Sequence, residues 1–406
     1  MSTAKVKKER VGFFEKYATL ISSLIAVVCG LIVALIVLMI SKPETGFQGF
    51  LMLLMGGIPY GGIKNVGDTL YYATPIMMTG VALCLAFKTG VFNIGGPGQY
   101  IVGAFAAVFT AIKFGNSLPG PLAWIVPLIA SFAAGAIWAL VPGLLRAYFN
   151  VNVVISTIMF NYIGMYYVVY WVKKYILDQL RGQSLPVPAV SKLPKWFLPS
   201  ITNGSSADIG IFIAIVACIL VWVLLEKTTR GFELKACGMN AFSTTYAGIN
   251  SKRNIMIAIL LSGALCGLGG GLHYLASSGV YIKLAEQSAA EGFTGIAVAC
   301  LAGNNPLGAI LAALYMAFLT VGGSYMQLFG FQKEIVSVIT GVVIYFSSFV
   351  LLLNTAISKI SAKKRLKAEQ AVVNAYDQPK EVVKEFRVEG GPDESPDAAG
   401  KGGDAV

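Results

Sequence analysis

Residues 87–100, FKTGVFNIGGPGQY, lie between two apolar runs that are each long enough to cross a bilayer. They break nearly every rule for lipid-facing sequence. Gly90, Gly95, Gly96, Pro97 and Gly98 loosen or break a helix, and Asn93 and Gln99 bring amides that need hydrogen-bond partners. In hydrocarbon every backbone polar group must be satisfied internally. At membrane depth such an interruption is tolerated only where protein or a water-filled cavity surrounds it, which is how a solute path looks in sequence. A tight cytoplasmic turn between two hairpinned helices would hold the same residues. The local pattern does not choose between them.

The rest of the chain supplies the context. Of its 406 residues 56% are hydrophobic and only 13% charged, with mean hydropathy +0.71. Soluble proteins carry about 25% charged residues, so the expected fold is an all-α polytopic membrane protein. The basic N-terminus is followed by an apolar run too long for a signal peptide, which reads as a first span. The net charge of +11 sits beside apolar segments and orients the chain in the membrane, so it is not a nucleic-acid footprint. Cys29, Cys84, Cys218, Cys237, Cys266 and Cys300 have no metal-ligand spacing and are expected to be unpaired packing residues.

Runs of about 20 apolar residues mark spans, and about ten are expected. They fall near residues 18–40, 70–87, 93–114, 121–145, 152–171, 208–225, 255–275, 293–303, 306–323 and 333–353. The eighth is short and reads as a half-helix. Residues 47–58 suit an interfacial or re-entrant helix. Lysines and arginines in the short loops place both termini in the cytoplasm. This divides the chain into a basic N-terminus (1–17), a membrane domain (18–353) and a disordered cytoplasmic tail (354–406). An external loop at 172–207 holds five cationic residues against that rule, and its four prolines predict an ordered cap. The break at 90–100 and a second at 302–308 (AGNNPLG) fall in the two halves of the chain, a hint of an internal repeat.

Residues 226–254, EKTTRGFELKACGMNAFSTTYAGINSKRN, form the one sizeable cytoplasmic loop between spans. Short helical pieces (FELKACGM, AFSTTYAG) flank a Gly-Met-Asn break, and small residues allow another surface to approach closely. Solvated connectors seldom hold so many small and apolar residues, so the loop reads as a protein-docking surface.

This loop resembles the coupling loop of ABC-importer permeases of the branched-chain amino acid, ribose and nucleoside type. FKTGVFNIGGPGQY, FNVNVVISTIMFNYI (149–163) and GFTGIAVACLAGNNPLGAILAAL (292–314) are similar to further motifs of that family. The likeness runs from about residue 66 to 350 and is greatest to the nucleoside or simple-sugar branch. It implies a plasma-membrane permease subunit of a bacterial importer that does no covalent chemistry and is not an enzyme. It also implies no cofactor on this chain, since ATP and Mg²⁺ belong to a partner ATPase; no GxxxxGK[ST] phosphate loop is present. The implied partners are cytoplasmic ABC ATPases, a second and often non-identical permease, and an extracellular substrate-binding lipoprotein. The resemblance carries the coupling role to Glu226, Arg230, Gly231, Glu233, Lys235, Gly238, Asn240, Gly248 and Arg253. It carries the substrate path to Phe92, Asn93, Gln99, Asn152, Asn161, Tyr162 and Thr294. Relatives hold carboxylates where this chain has Pro97, Val153 and Thr294, so the motifs do not fix the solute.

The residues keep several alternatives open. Neutral amides such as Asn93 and Asn161 can read ribose hydroxyls and base edges, or can bond neighbouring helices. Tyr162, Tyr166 and Tyr167 can stack on a base or simply pack. His273, the only histidine, suits a structural role, and Glu286 and Glu291 suit the stabilisation of acids at a helix N-terminus. For function, the alternatives are a permease for a ribose-type sugar or a branched-chain amino acid, or an ion-coupled secondary transporter. The last would need coupling charges inside the spans, which the sequence nearly lacks.

Overall fold

Hydrocarbon leaves each apolar run no backbone partner but itself, and the runs form helices. The computed structural model describes residues 18–284 and 289–350, with isolated positions 353, 355, 356, 359, 366 and 370. The basic residues before Ala18, most of the tail at 354–406 that was expected to be cytoplasmic and disordered, and Glu286 lie outside the described residues. The chain divides into two compact units, Met1–Ile357 and Ser358–Val406. Of the second, Lys359, Leu366 and Gln370 are described, as helix.

The first unit runs α1 (Ala18–Ser41), α2 (Gly46–Leu54), α3 (Ile63–Lys88), α4 (Gly96–Phe114), α5 (Leu122–Phe149) and α6 (Val153–Tyr175). Beyond the cap follow α7 (Gly210–Lys227), α8 (Thr229–Met239), α9 (Ala241–Tyr246), α10 (Ser251–Tyr274), α11 (Ala290–Leu301), α12 (Pro306–Tyr325) and α13 (Lys333–Ser348). Among the described residues eight helices are long and apolar enough to cross a membrane. The chain is an all-α polytopic membrane protein. Of the other two expected spans, α11 has 12 residues, shorter than a full crossing requires, while α13 is described over 16 residues, with helical positions again at 350, 353, 355 and 356. The nine residues of α2 reach about 14 Å and cannot cross either.

α10 is the central pillar. It packs against α5 through small residues: a Cβ added to Gly135 would lie 2.2 Å from the carbonyl of Gly263 and 2.8 Å from Cα of Gly267. Small residues let membrane helices approach backbone to backbone. α3 and α10 run in opposite directions. The end of α3 at Lys88 lies against Gly238 of α8, while Asn254, near the start of α10, bonds Cys237 of the same helix. Both ends therefore face the 226–254 loop.

Each of these two helices is followed by a new helix, α3 by α4 after the irregular segment 89–95, and α10 by α11 after residues 275–289, of which 275–284 and 289 are described. The two new helices start against each other. A Cβ on Gly292 would sit 2.5 Å from the nitrogen of Pro97, so only glycine fits there. The sequence reading set the 90–100 break beside residues 302–308 as a hint of a repeat; the contact joins the break to the start of α11. Residues 302–305 instead make a tight turn between α11 and α12, with Gly303 and Asn304 at φ +58° and +59°. They line a cavity together with Lys88, at the loop end of the molecule.

At the opposite end, residues 177–207 form an ordered cap. Leu177–Asp178 pairs antiparallel with Gln183–Ser184. Backbone bonds from Ser184 to Ile282 and from Leu193 to Leu275, both 2.9 Å, tie the cap to the segment that precedes α11.

Candidate functional site

Two sets of polar groups lie at membrane depth, one on each of the interrupted helices. The first is a knot around the break. Asn93 Nδ2 donates to Gln99 Oε1 at 3.2 Å and to Ser262 Oγ at 3.0 Å, while its Oδ1 accepts from the Gly95 amide at 2.8 Å. Asn161 Oδ1 accepts from the Gly98 amide at 2.9 Å, and its Nδ2 donates to the Ile94 carbonyl at 3.0 Å. Glycine and proline free these backbone groups, and the side chains of α6 and α10 pair them again. All three amide residues are at most 4% exposed. Their hydrogen bonds hold the break shut, which matches the helix-bonding alternative of the sequence reading.

The remaining path candidates separate. Phe92 is exposed and stacks on Phe87 at 4.7 Å. Asn152 caps α6, its Oδ1 accepting from the Val154 amide at 2.9 Å. Tyr162 stands exposed on the outer face of α6, in one stripe with Tyr166 and Tyr170. Thr294 lines a cavity between α3, α11, α12 and α13, with its hydroxyl bonded to the Ala290 carbonyl.

The second set surrounds the first turn of α11. The Thr79 hydroxyl donates to the Glu291 carbonyl at 3.0 Å. Thr79 precedes the end of α3, Lys88, by nine residues, or about 14 Å. In a hydrocarbon core of about 30 Å that places Glu291 close to the midplane. His273, read as structural, bonds the Tyr100 hydroxyl through Nδ1 and contacts the rings of Tyr71 and Tyr274.

The 226–254 loop folds as two short helices. Thr228 caps α8 through the Gly231 amide at 3.0 Å, and Asn240 caps α9 through the amides of Phe242 and Ser243 at 3.0 and 3.1 Å. Glu226 with Lys235 (2.8 Å) and Arg230 with Glu233 (3.2 Å) form surface ion pairs. Exposed pairs of this kind contribute at most about 1 kcal/mol each, so they orient rather than hold. Gly248 turns the chain at φ +78°, and Arg253 is exposed at the start of α10. Two features escaped the sequence reading. Met239, Phe242 and Tyr246 are 89%, 83% and 94% exposed, and Phe232 is exposed as well. Gly238 lies so close to α3 that an added Cβ would meet the Lys88 carbonyl at 2.3 Å. The 226–254 loop thus presses, backbone to backbone, on the turn that opens the 89–95 break.

On the cap, Asp208 is buried. Its Oδ1 accepts from the Gly210 amide at 2.8 Å, and its Oδ2 has no partner. Burial pushes this carboxyl up to about 7, against the opposing pull of the Gly210 amide and Lys195. Among the described residues no cluster of side chains could hold a metal ion.

Comparison with known proteins accounts for this arrangement. The family described as "Branched-chain amino acid transport system / permease component" matches residues 65–348. The guanosine ABC transporter permease protein NupP of Bacillus subtilis is 34% identical over 354 residues, 86% of this chain and 99% of that protein. The nucleoside ABC transporter permease protein NupB of Lactococcus lactis is 32% identical, covering 85% and 95%. The glucose ABC transporter permease protein TsgB13 of Haloferax volcanii is 31% identical, covering 69% and 74%. No solved structure matches the chain. A multi-pass helical chain with a folded loop braced on a broken helix, a family model over residues 65–348 and relatives over most of its length leave one assignment: the protein belongs to the ABC-transporter permease family of the branched-chain amino acid transport type.

Proposed function

We propose that the chain is a permease subunit of a nucleoside importer in a bacterial plasma membrane, driven by ATP hydrolysis on partner ATPases. The observation that carries this is the exposed face of Phe232, Met239, Phe242 and Tyr246, joined through Gly238 to the 88–91 turn. An apolar patch on a charged loop marks a protein-docking site, and its rigid contact with α3 gives the docked partner a lever on the break. Closure of the ATPases moves α8 and α9, which displaces the end of α3 and with it the start of α4. Because the start of α4 abuts the start of α11, both interrupted helices shift together. Their opposed directions fit an inverted internal repeat, with the solute path at its interface. Both termini and the 226–254 loop face the cytoplasm, and the cap at 177–207 meets a substrate-binding lipoprotein outside. The exposed tyrosine stripe of α6 faces a second permease subunit.

Nucleosides are the favoured solutes because NupP and NupB, the relatives aligned over most of this chain, carry guanosine and nucleoside in their names. TsgB13 keeps a sugar as the second reading. Uptake of labelled guanosine by the reconstituted importer, challenged with excess unlabelled uridine, glucose or leucine, separates the two. Competition by uridine alone is expected. Competition by glucose or leucine, with none by uridine, would sink the nucleoside assignment.

A further inference from the structure

The mechanism above leaves the Glu291 carboxyl unused. Glu291 is half-buried in the first turn of α11, close to the membrane midplane, and among the described residues its carboxylate has no hydrogen-bond or salt-bridge partner. A carboxylate at this depth is costly and is kept where it meets a cavity or a ligand. Here it meets two cavities. One, about 360 Å³, opens between α3, α11, α12 and α13; the other, about 300 Å³, lies toward the cap, beside His273 and Tyr281. Glu291 and Ala290 line both, so the carboxylate stands on the wall that separates them.

The larger cavity is built for a small polar solute with one flat face. Its volume falls in the range of sites for small organic ligands, about 300–1,000 Å³. Tyr72 presents a ring to the cavity and is braced edge-on by Tyr71 at 5.0 Å. Thr294, Thr320 and Gln327 supply further polar groups. The Thr294 and Thr320 hydroxyls already donate to carbonyls of their own helices, at 3.0 and 2.9 Å, which leaves their oxygens as acceptors. A site made of one free carboxylate and several acceptors selects a solute rich in donors. Vicinal hydroxyls of a sugar ring meet that need, and charge-assisted bonds of this type are the strong ones.

Resting on the nucleoside reading above, we propose that this cavity is a ribonucleoside-binding site inside the permease itself. Glu291 accepts hydrogen bonds from the ribose 2′- and 3′-hydroxyls, and the base stacks on Tyr72. Glu291 is thus a specificity-determining residue, and the solute passes it between the two cavities.

The test uses the intact importer in proteoliposomes, with guanosine and 2′,3′-dideoxyguanosine as probes. Wild type is expected to move guanosine at least about 10-fold faster, and Glu291→Gln, which keeps shape but loses charge, is expected to bring that ratio close to one. Ser324→Phe fills the cavity from α12 and is expected to abolish uptake, while assembly and the ATPase rate persist. If wild type carries no nucleoside, the functional reading fails. If wild type carries guanosine and assembled Glu291→Gln keeps the wild-type ratio, the site is overturned. Normal uptake by assembled Ser324→Phe overturns it too.

Discussion

The break at 93–99 and the first turn of α11 meet at one backbone contact, yet they treat polar groups in opposite ways. Around the break every amide of Asn93 and Asn161 is paired, each to a backbone group freed by glycine or proline or to a neighbouring side chain. Beside α11 a carboxylate faces open volume with no partner among the described residues. Satisfied polar groups at membrane depth rigidify, because removing one partner strands the other. An unsatisfied one persists only where something else completes it. The same chemistry, polar residues on a broken helix, therefore makes a strut in one place and a reading surface in the other.

The strongest way to break this comparison is at the shared contact. Gly292→Val drives a side chain into the Pro97 backbone at 2.5 Å, where no flexible atom can yield. Loss of folded, detergent-stable protein is expected on size-exclusion chromatography; recovery of wild-type amounts would show that the helix ends are not a fixed unit. Next comes Asn161→Ala, which strands the Gly98 amide and the Ile94 carbonyl. Each buried group left unpaired costs about 1–3 kcal/mol, so a drop in Tm of several degrees is expected without a change in solute preference. A changed preference with unchanged Tm would move Asn161 from strut to reader.

The loop sharpens the comparison from outside the membrane. Phe242→Ala removes an exposed aromatic from the docking face. Truncation of such an anchor costs about 2 kcal/mol or more, so the affinity for the partner ATPase should fall about 30-fold. A titration of purified ATPase into permease nanodiscs would measure it.

A pH-dependent effect belongs to Asp208, the buried carboxyl beside the cap. Its folded-state value, about 7, lies above the ordinary 3.8, so the folded protein holds a proton that the unfolded chain gives up. Its contribution to stability is complete below about 3.8 and lost as pH rises to about 7, at about 1.4 kcal/mol per pH unit in between. Asp208→Asn removes that slope and keeps the acceptor for the Gly210 amide. Thermal unfolding of wild type and variant between pH 5 and 7.5 should diverge by this amount; parallel curves would show that the carboxyl is solvated.

Most of the architecture was legible in sequence, because a membrane leaves a long apolar run one option. The helices, the half-helix at α11, the ordered cap and the two helical pieces of the 226–254 loop all follow from local pattern. The site was legible only as a set of residue types. FNIGGPGQY announced that polar groups had to be paired, but their partners, Asn161 and Ser262, lie 63 to 169 residues away, and only packing identifies them. Residues 302–308 look as broken as 90–100, yet they form a turn at the loop end, since Asn305 caps α12 at once through the Leu307 amide. Glu291 reads as an ordinary acid at a helix start. What sets it apart is a cavity assembled from α3, α12 and α13, which no window around Glu291 contains. The one available signal was a carboxylate in a segment too short to cross.

The central claim is that ATP hydrolysis, transmitted through the Gly238–Lys88 contact, moves a nucleoside past the two broken helices. Labelled guanosine uptake into proteoliposomes holding the permease pair, the lipoprotein and either active or catalytically dead ATPase measures it directly. Accumulation with the active ATPase and background uptake with the dead one are expected. Equal accumulation with both would contradict it and make the chain a carrier that needs no ATPase.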